Sequence, residues 1–86
     1  MMQVYWQAKS KNMKAVVFLM LGKVEFFAFE NDALLLNDLF KKKIKRYSKY
    51  LMVNFWYKEI ESAKKELYAR KIPVLIMNEI DDDEYR

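Results

Sequence analysis

YLMVNFWYKEIESAKKELYARKIPVLIM, residues 50–77, decides the fold. Its opening YLMVNFW (residues 50–56) is β-branched, aromatic and aliphatic, the composition of a strand. The period then changes: from Tyr57 to Lys71, Ile60, Ala63 and Leu67 recur at helical spacing among Lys and Glu. Pro73, which lacks the N–H that a helix interior needs, ends the run. VLIM, residues 74–77, is short and fully apolar, as a buried strand is. A strand, a helix of this length and a second strand predict a right-handed crossover onto a parallel strand.

Upstream, KAVVFLML (residues 14–21) is apolar on both parities, which predicts a central strand covered on both faces. Leu21-Gly22-Lys23 is the only glycine-bearing turn, and VEFFAF (residues 24–29) follows it, so the two runs predict a hairpin. Asn31 is read as an N-cap with Asp32 in the positive first turn of a helix over 31–43, whose negative end would carry Lys41, Lys42 and Lys43. Residues 3–12 predict a further helix, with Val4, Tyr5 and Ala8 near one face. The segment Lys42 to Arg46 admits two readings, because Ile44 either ends the helix or begins a short extra strand. The expectation is an α+β fold in the order α-β-β-α-β-α-β: a mixed sheet flanked by helices, with strands near 14–21, 23–29, 50–55 and 73–78. It places one domain over residues 1–79 and an acidic tail over 80–86 that frays.

Composition narrows the chemistry. Eighty-six residues, 53% of them hydrophobic, are enough for one core and too few for two. There is no cysteine and no histidine, which removes disulfides, thiolate metal sites, the commonest general base and the commonest zinc ligand. No catalytic residue, metal site or cofactor is expected, and the chain reads as non-enzymatic. The opening MMQVYWQAKSKNMK has no apolar export region, and the longest apolar run, AVVFLML at 15–21, is well short of the roughly 20 residues that span a bilayer. A cytoplasmic chain without membrane contact is expected.

KAVVFLMLGKVEFFAFENDALLLNDLF and NFWYKEIESAKKELYARKIPVLIMNE resemble the N-terminal domain of MutS proteins, MutS domain I, in the order and spacing of their elements. Tyr57 falls where that family has the tyrosine of a Val-Pro-Tyr-His segment. Ile60, Ser62 and Leu67 fall on its helix pattern, Lys71 near its lysine-glycine turn, and Val74, Ile76 and Glu79 on the end of its Val-Ala-Ile-Cys-Glu-Gln strand. YWQAKSKN resembles its leading Tyr-x-x-x-Lys helix. The resemblance covers residues 4–79 and implies a mixed sheet flanked by helices. It also implies a partner, DNA, which the family reads with a Phe-x-Glu motif that wedges beside a mispaired base and hydrogen-bonds to it. This sequence departs at that motif. Alignment on Phe29, Asp32 and Ala33 sets Glu25 on the Phe position and Phe27 on the Glu position; alignment on Gly22 gives Val24 and Phe26. Neither register restores Phe-x-Glu, and Lys23 replaces the acidic residue after the glycine.

The candidate nucleic-acid residues are the run Lys41, Lys42, Lys43, Lys45, Arg46 and Lys49, joined by Trp56, Tyr57 and Lys58. Residues 1–78 carry 15 basic and 7 acidic side chains, a net of +8, and such an excess attracts polyanions without regard to sequence. The same lysines equally serve a solvated helix end. Phe26, Phe27, Phe29, Phe55, Trp56 and Tyr57 either stack on bases or form a core; Phe27 and Phe29 share a strand face and are expected to be buried. Asp81, Asp82, Asp83 and Glu84 lack the glycine-punctuated spacing of a calcium loop, and Glu25, Glu30 and Asp32 with Lys23 only faintly resemble a nuclease set. Two functions follow as expectations: a mismatch-blind DNA-binding module, or a protein-interaction module that kept the fold and lost DNA.

Overall fold

The computed structural model describes residues 2–78, with the side chains of residues 3–78. Helix α1 (Met2–Lys11) is followed by β1 (Val16–Leu21), β2 (Glu25–Phe29), α2 (Asn31–Phe40), β3 (Lys45–Tyr47), β4 (Tyr50–Trp56), α3 (Tyr57–Ala69) and β5 (Val74–Asn78). The strands form one sheet in the order β3-β4-β2-β1-β5. Among the described residues only β1 and β5 pair in parallel; β1–β2, β2–β4 and β3–β4 are antiparallel, so the sheet is mixed. It follows that β4 runs parallel to β5, and α3 carries the chain past β2 and β1 to reach it. The strand–helix–strand reading of residues 50–77 holds.

Strand alternation divides the interior in two. One face buries Val16, Phe18, Phe26, Ala28, Val53 and Phe55 against Ala33 and Leu36 of α2 and Ile60, Ala63 and Leu67 of α3. The other buries Val17, Leu19 and Phe29 beneath Tyr5 of α1. The apolar pattern of β1 on both parities has its cause here: it is a strand with helices on each side. At the hairpin, Gly22 and Lys23 both have φ 64, the left-handed conformation that tight hairpin turns demand of their two central residues.

Three details differ from the sequence reading. Helix α2 ends at Phe40, because Lys41 turns left-handed (φ 61) and the Asn37 side-chain amide donates to the Lys42 carbonyl at 2.7 Å. Lys41, Lys42 and Lys43 therefore leave the helix instead of lining its last turn, and the Ile44 ambiguity resolves as an extra strand, β3, giving five strands where four were expected. Asn31 is not the N-cap. That place belongs to Glu30 (φ 52), whose side chain makes no cap and instead accepts the Leu51 N–H at 2.6 Å, while its own N–H donates to the Leu51 carbonyl at 2.9 Å. Finally, Phe27 is only half-buried. It packs at the margin of the second cluster, so its truncation costs less than the roughly 3–5 kcal/mol of a fully buried phenylalanine.

Asp32, buried at 5% exposure, gathers the fold. Its carboxylate accepts the Val17 N–H at 3.0 Å and the Lys9 ammonium at 2.8 Å. The Tyr5 hydroxyl lies 3.2 Å from the same carboxylate and 2.9 Å from the Val17 carbonyl, sharing its proton between them, and accepts the Phe29 N–H at 3.2 Å. Replacing Asp32 by Ala strands the buried Val17 donor and is expected to lower stability in urea unfolding by about 3 kcal/mol. Burial, then the Asp32 charge, raises the Tyr5 pKa. The unfolded chain ionises this phenol at about pH 10, so the Tyr5 contribution to stability is present below that pH and is lost as pH rises above it. Tyr5→Phe should flatten that alkaline loss.

Candidate nucleic-acid interface

β3 owes its place to the left-handed exit from α2 and to the turn at Ser48 (φ 55), and it sets the basic run along the outer side of β4. Its register opposes Lys45 to Met52 and Arg46 to Leu51, so the two charges point to opposite faces of the sheet. Lys45 reaches the Asn54 amide oxygen at 3.4 Å. Lys41 folds back on the Asp38 carbonyl at 3.3 Å, and Lys49 stands 5.7 Å over the Tyr50 ring. Lys43, Lys45, Arg46 and Lys49 are exposed. Lys42 is set apart. Its ammonium binds both Glu59 carboxylate oxygens at 3.1 and 3.0 Å and lies 4.8 Å over the Phe55 ring, so the sequence's continuous run is interrupted by a lysine already neutralised.

The aromatic candidates divide in the same way. Phe26, Phe29 and Phe55 are core. Trp56 and Tyr57, each 51% exposed, mark the junction of β4 and α3, and Lys58 stands 5.8 Å over Tyr57. Trp56 occupies the N-cap of α3 with its backbone N–H donating to Glu59 at 2.9 Å; an indole has no acceptor with which to complete a reciprocal cap. The Tyr57 N–H donates to the Val24 carbonyl at 2.8 Å, which ties the hairpin tip to this junction. Of the altered motif positions, Glu25 stands opposite both Leu21 and Trp56, and Phe27 opposite Asn54. Leu21, Glu25, Phe27, Asn54 and Trp56 thus share the face of the sheet that α1 covers only at its far end. Composition alone gave no sign of this shared face; the cross-strand register creates it.

Among the described residues the remaining carboxylates do not converge. Glu30 is spent on Leu51 and Asp32 on Tyr5, Val17 and Lys9, as described above, and no group of three or more His, Cys, Asp or Glu residues placed to hold a metal occurs among the described residues. The tail acids Asp81 to Glu84 lie outside those residues. A groove between α1 and the start of α2, lined by Trp6, Met13, Lys14 and Leu35, shares no residue with the basic strand. No helix among the described residues is long and apolar enough to cross a membrane.

The bond from the Trp56 N–H, and less strongly Lys42, holds the Glu59 carboxyl below its ordinary pKa. Such a group stabilises the fold above its unfolded pKa and ceases to as pH falls through the folded value. Because the Glu59 side chain is 44% exposed, solvent screening keeps the effect small: Glu59→Gln should cost under about 1 kcal/mol at pH 7. The stabilities of variant and parent should converge below about pH 4 in parallel denaturant titrations.

A comparison with curated proteins yields no match. The MutS domain I family model matches residues 1–86, the whole chain, and the mixed five-stranded sheet with three helices agrees with it. On that evidence the chain belongs to the MutS domain I family.

Proposed function

We propose that this protein is a non-enzymatic nucleic-acid-binding module that holds DNA by its phosphates and does not read mispaired bases. The observation that carries this reading is the β3 edge. Lys43, Lys45, Arg46 and Lys49 are exposed there with no carboxylate partner among the described residues. Side chains of this kind displace counterions from a phosphate backbone, and contact with phosphates carries no base information. Membership of a family associated with DNA supports the choice of polyanion.

Blindness to mismatches follows from the motif positions in either register. With Glu25 and Phe27 in the two places, the wedge is a carboxylate, which cannot stack and repels phosphates, and the hydrogen-bonding place is a phenyl ring. With Val24 and Phe26, the wedge has no π-face, and Phe26, 6% exposed, belongs to the core. One observation favours a different class of partner. Leu21, Val24, Trp56 and Tyr57, each between 42% and 51% exposed, lie together at the hairpin end, as the residues of a protein-docking patch do.

Substitution separates the two readings. Changing Lys43, Lys45 and Arg46 together to Gln should reduce the salt dependence of duplex binding by up to about 0.9 per lost phosphate contact. Lys42→Gln should leave the slope nearly unchanged, since Glu59 already holds that charge. Glu59→Gln releases Lys42 and should raise affinity at low salt. If the triple change leaves the slope intact while Trp56→Ala abolishes a protein interaction, the docking reading replaces this one.

A further inference from the structure

The alternation of side chains along β4 separates the aromatic residues of the sheet that are spent on the core from those left over. Val53 and Phe55 point to the α2/α3 side and are buried there. Asn54 and Trp56 therefore point to the other side, where α1 covers Val17 and Phe29 and stops short of the hairpin end. The register sets Phe27 opposite Asn54 and Glu25 opposite Trp56. Phe27 is half-buried and Trp56 exposed, and as diagonal neighbours on one face they stand about 7–8 Å apart. Two aromatic side chains thus remain accessible, side by side, on a part of the sheet that no helix among the described residues covers.

Cations border this face. Lys45 opposes Met52, which packs with the α1 cluster, so its side chain lies on the same side and reaches the Asn54 amide oxygen at 3.4 Å. Lys49 stands over the Tyr50 ring, which contacts Trp6 of α1 and so belongs to that side too. At the hairpin end Lys58 stands over Tyr57, next to Trp56. None of these three lysines belongs to an ion pair among the described residues. Glu25 is the only acidic residue in any of the described strands.

We infer that this open face takes an unpaired nucleic-acid strand, with phosphates along Lys45 and Lys49 and two bases stacked on Phe27 and Trp56. The inference rests on the phosphate-holding reading above and names its substrate class. An accessible aromatic ring offers its π-face to any base, so stacking is indifferent to sequence. A duplex keeps the faces of its bases inside its own stack, whereas an unpaired strand can splay them onto a sheet. Glu25 repels phosphates and so keeps the backbone on the β3 side, which turns the bases inward over Asn54, Phe27 and Trp56. From Tyr50 to Trp56 the strand runs about 20 Å, room for a short run of nucleotides. Charge also argues against a protein on this face: Lys45, Asn54 and Glu25 stand around the two rings, and the centre of a protein-docking patch is depleted of charge.

Anisotropy titrations of the full chain with three labelled probes test this: an oligothymidine, an abasic strand of the same length, and a matched duplex. The abasic strand keeps the phosphates and lacks the bases. The oligothymidine is expected to bind about fivefold or more tightly than the abasic strand, the least that one stacked base supplies. Trp56→Ala should weaken oligothymidine binding by about fivefold or more and leave the abasic strand unaffected, while Trp56→Phe keeps the advantage. Lys45→Gln should instead lower the salt slope on both single strands by about 0.7. Trp56 is exposed, so its truncation leaves the core intact, which urea unfolding of the variant checks. Equal affinity for the oligothymidine and the abasic strand overturns the inference and leaves the phosphate-holding reading standing. An advantage for bases that survives Trp56→Ala overturns it as well, because the bases then lie elsewhere. Failure to bind any of the three probes at low salt removes both readings together.

Discussion

A carboxylate inside a protein must be surrounded by donors, and the architecture of this chain follows from how Asp32 meets that demand. Its donors come from two segments, the Tyr5 hydroxyl and Lys9 ammonium of α1 and the Val17 N–H of β1, while Asp32 itself lies in the first turn of α2. Tyr5 in turn takes the Phe29 N–H at the end of β2. One buried charge thereby fixes the helix on one face of the sheet to the helix on the other, through the two central strands. It also fixes where α1 lies, over Val17 and Phe29, so the hairpin end with Leu21, Glu25 and Trp56 is left open.

The same logic sorts the positive charges. The four ion pairs among the described residues engage Lys9, Lys42, Lys64 and Arg70, and each lysine or arginine so engaged is held by its own fold. Lys43, Lys45, Arg46 and Lys49, on β3 and beside it, belong to none of these pairs. Their spacing along an edge strand, with Lys45 and Arg46 on opposite faces, suits contact with a flexible or grooved polyanion along the edge more than a single enclosed pocket. The charges that protect this edge from strand pairing are also those on which the proposed phosphate contact rests.

Much of this was legible in the sequence, because hydrophobic period reports burial directly. The helix at Ile60, Ala63 and Leu67, the doubly covered β1 and the hairpin at Gly22 are local signals that tertiary packing did not override. The end of α2 was less legible: Lys41 adopts a left-handed conformation usually left to glycine, stabilised by the Asn37 amide, and no propensity announces that choice. The Asn31 cap failed for a related reason, since Glu30 found a long-range partner in Leu51. Long-range partners also hid the site. Asp32 reads as a first-turn acid and Lys42 as one of a run; only the fold brings Tyr5 and Lys9 to the first and Glu59 to the second. The basic run was visible as composition, but which of its members remain free was not.

The central claim, binding by charge without reading of the base pair, meets its most direct test in one competition titration. The full chain is bound to a labelled duplex at moderate salt and displaced by unlabelled duplexes of identical sequence except for one mismatched pair. The account predicts equal displacement, with a ratio of affinities within about twofold, because phosphate contacts are the same in both. A preference of about tenfold or more for the mismatched duplex, lost in Phe27→Ala, would contradict it, since an advantage of that size is what direct contact with a base supplies.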